Sequence, residues 1–431
     1  MFDSENIVLS FAAISDTHIS DRERDMAEGK LSRALSTLER VSREHGRRID
    51  FCIGAGDLVD NPRGDTYLQL EKFKSIYSSH MSAPLFYCFG DRHDLMWGGE
   101  NEAEVIEKFY NTFKDDSFTF DVDKDCILKG NRHAVVNGYH FIALEPCQRI
   151  PVLYSAETKE WLSNILDSVD EDKYVFVMTH PMIKSTCYGS MHGIGWATEE
   201  LTPILSKHSN AVVFCGHLHH PINDERSIMQ TDFTAVGCGA VKYMAIEQGG
   251  FEEMSSPATM IDCNFVSSGH LCEVDVNGAL RITRLDFSFD KEIKEPWIIP
   301  SPKKDRSHLK RYTADRGQIS TSPWFGDGFC AEIRYGKETP VLVFSAAHDE
   351  DLVHHYDVDV YVDDEAVSTH HILADFYRHP TPSLMAKEIC LKLKNPELKG
   401  SVTFKIRAVN SWGKVSCEKQ VTFNLDNGTA E

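Results

Sequence analysis

Five short runs of aspartate, histidine and glycine stand out before residue 220 of the chain. They are Asp16-Thr17-His18, Gly56-Asp57-Leu58-Val59-Asp60, Gly90-Asp91-Arg92-His93-Asp94, Thr179-His180-Pro181 and Gly216-His217-Leu218-His219. Brought together, their carboxylates would repel one another, and one would have to take a proton or find a cation. Buried ions without partners cost roughly several kcal/mol each. Divalent cations offset both penalties. A mixed imidazole and carboxylate set suits Mn, Fe, Zn, Co or Ni, and nothing here points to a thiolate site. The ligand number is too large for one tetrahedral ion and enough for two ions sharing a carboxylate. Ions paired about 3.5–4 Å apart suit in-line displacement at phosphorus.

The elements that must position these runs are legible in the apolar pattern. Each run follows a short apolar strand: Phe11–Ile14, Phe51–Ile53, Leu85–Phe89, Tyr174–Met178 and Ala211–Phe214. Another strand is expected at His140–Leu144. Between them lie helical stripes. Leu31, Leu35, Leu38 and Val41 mark a helix over 28–45; Phe73 and Tyr77 mark one over 66–80. Val105, Phe109 and Phe113 mark a third, Trp161, Leu162, Ile165 and Leu166 a fourth, and a further helix is expected around 198–208. Strand and helix in alternation predict an α/β layered core. The strands are continuously apolar, as expected when helices cover both sheet faces. Ligands of open α/β sheets bind beyond the carboxyl ends of strands, which is where all five runs sit.

After residue 230 only strands are expected, and Asn277-Gly278 predicts a hairpin turn. Prolines 296, 300 and 302 and the basic cluster Lys303, Lys304, Arg306 predict a solvated linker over 291–319. Residues 320–431 read as an all-β sandwich domain, with turn residues about every ten positions.

Composition bounds the function. Lysine plus arginine number 45 against 66 aspartates and glutamates, a formal charge of −21. That balance opposes long nucleic acids and anionic lipid but permits a small phosphorylated substrate, because a bound metal inverts the local sign. No apolar run is long enough to span a membrane, so no membrane partner is expected. The twelve cysteines contain no Cys-x-x-Cys pair and read as reduced thiols. With Asp3 and Glu5 where a signal peptide would be basic, a cytoplasmic protein is expected.

The order Asp-x-His, Gly-Asp-x-x-Asp, a Gly-containing His-Asp block, His and Gly-His-x-His resembles the calcineurin-like metallophosphoesterases over roughly residues 9–290. The spacing looks most like the branch that contains cyclic-nucleotide phosphodiesterases. The resemblance implies a layered α-β-β-α metallophosphoesterase domain over 1–290 with two divalent or trivalent transition-metal ions. Asp16, His18, Asp57 and His219 would hold the first ion. Asp57 would bridge to the second, which His180 and His217 also bind. A hydroxide between the ions would attack the phosphorus of a phosphomonoester or phosphodiester. His93 would protonate the leaving oxygen, and Asp60 would orient His93. The third run departs from the family's Gly-Asn-His, since Asp91 and Arg92 separate Gly90 from His93. Asp91 is the expected metal ligand in place of asparagine, and Arg92 the expected clamp on a phosphate oxygen. Near the C-terminus, Phe404–Lys414 resembles the late strands of a fibronectin type III-like sandwich. Such domains serve as spacers, ligand platforms or dimer interfaces; the oligomeric state is open, with a dimer through this domain one reading.

Two rival readings remain. One is a binding or scaffold protein on the same fold, its active site weakened by the altered third run; the other is a nucleotide phosphodiesterase or pyrophosphatase. Most other histidines read as ordinary surface or core residues, including His220, His192, His354-His355 and His370-His371. His192 is a minor candidate for facing substrate, and Trp97 and Tyr188 are minor candidates for stacking on it.

Overall fold

The computed structural model describes residues 2–23, 25–60, 64–90, 93–94, 102–114, 130–146, 152–191, 197–246, 259–261, 265–335, 339–394 and 398–425. Two compact units divide at Ala314 and Asp315. The first is an α/β unit of two mixed sheets. Strands β1 (Ile7–Ile14), β2 (Phe51–Ala55) and β3 (Leu85–Cys88) run parallel, and Ser268–Asp275 continues that sheet antiparallel to β1. In the second sheet, β5 (Tyr139–Ala143), β6 (Val175–Thr179) and Ala211–Cys215 run parallel, and β4 (Arg132–Val136) pairs antiparallel with β5.

Side chains alternate across a strand, and β1 uses both faces. Phe11 and Ala13 enter an apolar cluster with Phe51, Phe141, Phe176 and Phe214, drawn from both sheets. The Phe11 ring lies 5.4 Å from Phe51, 5.0 Å from Phe176 and 5.3 Å from Phe141. Ala12 and Ile14 face the other way, into a cluster with helices α1 (Met26–Glu44), α2 (Thr66–His80) and α3 (Glu102–Phe113). The outer face of the second sheet packs the helix Ala156–Ser168 through Leu162 and Leu166. The layering is therefore helix, sheet, sheet, helix.

The helices start where the sequence supplies a cap. The Asp25 carboxylate accepts from Ala27 N at 3.2 Å, and Asp65 accepts from Leu68 N at 3.0 Å. The helix expected around 198–208 is a single turn, Thr202–Leu205. Its would-be first residues, Ala197–Thr198, pair instead with Met182–Ile183, so their backbone groups are committed to a bridge. The Asn277-Gly278 hairpin joins Ser268–Asp275 to Leu280–Asp286. Trp297–Ile299 pairs with Leu280–Ile282, and Tyr312 is buried in the aromatic cluster between the sheets. Among the described residues no helix is long and apolar enough to cross a membrane.

The second unit is all-β. Ala331–Tyr335, Pro340–Ser345 and Glu388–Lys392 form one antiparallel sheet. Glu365–Leu373, Val353–Val362, Gly400–Asn410 and Lys419–Leu425, in that order, form the other. Tyr356, Val358, Phe404 and Ile406 are buried, and the Tyr356 ring meets Phe344 of the three-stranded sheet at 5.5 Å.

Candidate metal centre

The inter-sheet aromatic core sets the carboxyl ends of both sets of parallel strands side by side. Asp16 and His18 follow β1, Asp57 and Asp60 follow β2, and His93 and Asp94 follow β3. His180 follows β6, and His217 and His219 follow Ala211–Cys215. The loops are stitched together by main-chain bonds: Asp16 N donates to Gly56 O at 3.1 Å, His18 N to Asp57 O at 3.0 Å, and Gly216 N to His180 O at 3.1 Å. Asp16, His18, Asp57, His217 and His219 all have positive φ, from 42° to 73°. Non-glycine residues adopt this conformation at a cost of about 1–3 kcal/mol each, and such strain gathers at functional sites.

Two groups of three that share no residue result, and a third, His18, Asp60 and His93, overlaps the first. In the first, one ligand atom from each of Asp16, His18 and His219 lies within 4.8 Å of the others; the second is Asp57, His180 and His217. All six are buried. Asp57 stands between the groups, with Oδ2 3.2 Å from His180 Nε2 and 3.9 Å from His18 Nε2. The fit is close enough that a methyl group on Gly90 would sit 1.8 Å from Asp57 Oδ1.

Hydrogen bonding around the groups decides what they can hold. His219 Nδ1 lies 2.9 Å from Tyr243 O and His180 Nδ1 lies 2.8 Å from Ala55 O. A carbonyl only accepts, so both Nδ1 atoms carry hydrogen and both neutral rings present an Nε2 lone pair. Those lone pairs face carboxylates: His219 Nε2 is 2.9 Å from Asp16 Oδ1. Asp16 Oδ2 is occupied, accepting from Ser15 Oγ at 2.6 Å and His217 N at 3.1 Å. Asp16 Oδ1 and Asp57 Oδ1 are buried and accept no hydrogen bond among the described residues. A lone pair opposite a buried carboxylate is relieved by a cation between them, and carbonyls that fix the outer nitrogen are the usual support of metal-binding histidines. The residues present fit a pair of cations.

The electrostatics agree. Burial works to raise the Asp16 carboxyl, but His219, His180 and His18 outweigh it and hold it far below the ordinary range. Burial, with His219 and His93 beside it, pushes His18 well below its ordinary value, so its ring is neutral and able to ligate. Burial and the nearby Asp57 carboxylate push Asp94 up to about 7, although Val59 N and Gly90 N donate to it.

His93 lies beside the first group, its ring 4.5 Å from that of His18. Its Nδ1 is 2.5 Å from the main-chain oxygen of Asp60 and 3.9 Å from that residue's carboxylate. The Asp60 carboxylate turns to Lys242 Nζ at 3.3 Å and His18 Nδ1 at 3.7 Å. Asp91, Arg92, Trp97 and His192 lie outside the described residues. Tyr188 packs its ring 4.7 Å from His220.

Four further residues support the centre, three of which no motif announced. Ser15 holds Asp16; Asp94 ties Val59 to Gly90; Tyr243 covers the His219 ring at 4.1 Å; Lys30, buried, donates to the carbonyls of Lys242 and Val266. Only Asp94 carried a signal, its place in the third run.

Residues 9–221 match the family model described as calcineurin-like phosphoesterase. No curated protein matches the chain. Among solved structures, the chain is similar to a purple acid phosphatase from yellow lupin (Lupinus luteus) seeds, at 15% identity and a TM-score of 0.49, covering 69% of this chain and 55% of that one. It is similar to the NAD nucleotidase of Haemophilus influenzae at 11% identity and a TM-score of 0.36, covering 70% and 55%. For the 5′-nucleotidase precursor of Thermus thermophilus the values are 14% and 0.32, with 73% and 61% covered. The chain thus spans just over half the length of the first two.

Proposed function

Residues 9–221 form a calcineurin-like phosphoesterase domain, and from that premise we propose that the protein hydrolyses a phosphomonoester or phosphodiester of a small substrate with two bound divalent ions. The family works with two such ions. The observation that carries the reading is the pair of three-residue groups joined through Asp57.

Asp16, His18 and His219 would hold one ion and His180 and His217 the other, with Asp57 shared between them. When bound, the ions polarise a phosphoryl oxygen and bring the pKa of water into the working range. The chain's own groups do the rest. The carbonyls of Tyr243 and Ala55 keep the His219 and His180 lone pairs turned inward. The Asp60 carbonyl holds the His93 Nδ1 hydrogen, so His93 would act as the imidazolium, giving its Nε2 proton to the leaving oxygen and keeping the Nδ1 hydrogen on Asp60 O. Asp60 therefore orients His93 through its main chain, while its carboxylate balances Lys242.

Metal analysis of protein purified without chelator, with rates on an aryl phosphomonoester, an aryl diester and a cyclic nucleotide in added Mn, tests the reading. Two equivalents of metal and turnover of one ester class are expected. Absence of both metal and turnover overturns it, and the ranking of the three substrates separates monoesterase from diesterase. The second unit, with its three-stranded and four-stranded sheets, is read as a fibronectin type III-like spacer or dimer interface. A reducing, cytoplasmic setting is supported by Cys52, Cys88, Cys215, Cys238 and Cys272, all buried thiols without a disulfide.

A further inference from the structure

The all-β unit carries a second group of metal-ligating side chains, made of residues that the centre described above does not use. His355 and Asp357 are alternate residues of Val353–Val362 and share one face of the sheet, while Tyr356 and Val358 point into the core. His371, on Glu365–Leu373, stands opposite Asp357 in the strand register. Directly opposed residues on paired strands have Cβ atoms about 4.5–5.5 Å apart, within reach of one shared ion. One ligand atom from each of the three lies within 4.8 Å of the others.

The surroundings favour a cation. His371 Nδ1 is 2.6 Å from Asp357 Oδ1, and His355 Nε2 is 3.5 Å from the same oxygen. His355 is buried, and its Nδ1 lies 3.0 Å from His354 Nδ1. When the shared hydrogen resides on His355, its Nε2 lone pair is directed at the carboxylate, the arrangement already seen at His219 and Asp16. Arg407 is the other cross-strand neighbour of Asp357, but its guanidinium binds Asp359 instead, at 2.5 Å. Asp357 is thereby left facing the imidazoles.

We propose that His355, Asp357 and His371 bind one first-row transition-metal dication of the zinc, cobalt or nickel class. Two imidazoles and a carboxylate are the ligand types such ions take, and three protein ligands leave a fourth tetrahedral position for water. The ion clips two neighbouring strands together in the accessory unit and takes no part in phosphoester hydrolysis.

The full chain is stripped of metal, saturated with zinc or cobalt chloride, desalted and analysed for metal content. His371→Ala and Asp357→Asn are treated identically, with circular dichroism to confirm that each is folded. Native protein is expected to retain one equivalent more than either variant, and the cobalt-loaded variants to lack the visible absorption of one tetrahedral site. Turnover is expected to be unchanged, because neither residue belongs to the unit that carries the first centre. The measurement is a difference, so it holds whether or not that centre takes two ions. The proposal is overturned if the folded variants retain as much metal as native protein.

Discussion

His219 aims Nε2 at Asp16 Oδ1 across 2.9 Å while its Nδ1 donates to the carbonyl of Tyr243. Two electron-rich atoms are thus held face to face inside the protein by a backbone group that cannot reverse the ring. The contact is favourable only with positive charge between or on them, and the predictions start from that constraint.

Metal removal should cost stability as well as activity. A ligand that binds only the folded chain stabilises it by about 2.7 kcal/mol when present at roughly 100 times its Kd. Chelator should lower the thermal midpoint of the first unit, and Mn or Zn should restore it. An identical midpoint in chelator and in metal would remove the case for a metal centre.

Asp57 Oδ2 lies 3.2 Å from His180 Nε2 and 3.9 Å from His18 Nε2, between the two groups. Asp57→Asn should cut turnover by more than the roughly 10–100-fold loss typical of removing an outer partner of a metal ligand. It should also reduce retained metal, read by elemental analysis. Full metal content with lost turnover would assign Asp57 another role.

Ser15 is not an expected metal ligand; its hydroxyl lies 2.6 Å from Asp16 Oδ2 and 3.0 Å from Ala55 O. Ser15→Ala should weaken metal affinity by about 10–100-fold and leave turnover at saturating metal largely intact. Titrating activity against Mn concentration separates the two effects.

For His93→Ala, the loss should depend on the leaving group. General acid catalysis contributes typically about 10²–10⁴-fold. A substrate with an alkoxide leaving group should lose that much, and a nitrophenyl ester far less, since its leaving oxygen needs no proton. Equal losses on both would place His93 in substrate binding.

His45 gives a pH signature away from the site. Bonds to Glu273 at 2.9 Å and Glu292 at 3.4 Å raise it from 6.5 to about 9. A raised imidazole contributes fully below about pH 6.5, and its contribution is lost as pH climbs through 9. The gap corresponds to about 3 kcal/mol at most. Denaturant titrations of native protein should show stability falling between pH 6.5 and 9, and His45→Gln should flatten that part of the curve.

The sequence alone determined which side chains were available and which elements would carry them. Aspartate and histidine directly after apolar runs marked strand ends, and the stripe Leu31, Leu35, Leu38, Val41 marked α1, because side-chain polarity and its period are properties of the chain itself. Only the tertiary structure decided how the groups face one another. Tyr243 and Ala55 act through carbonyls, Asp60 reaches His93 through its main chain, and every residue type offers the same carbonyl. The positive φ of Asp16 and Asp57 likewise belongs to the folded strand-end loops, where the main chain of Asp16 bonds Gly56 and that of Asp57 bonds His18. His355 and His371 read as incidental until strand register put them on either side of Asp357. Residue identity is local, whereas lone-pair direction and cross-strand register depend on contacts between residues far apart in the chain.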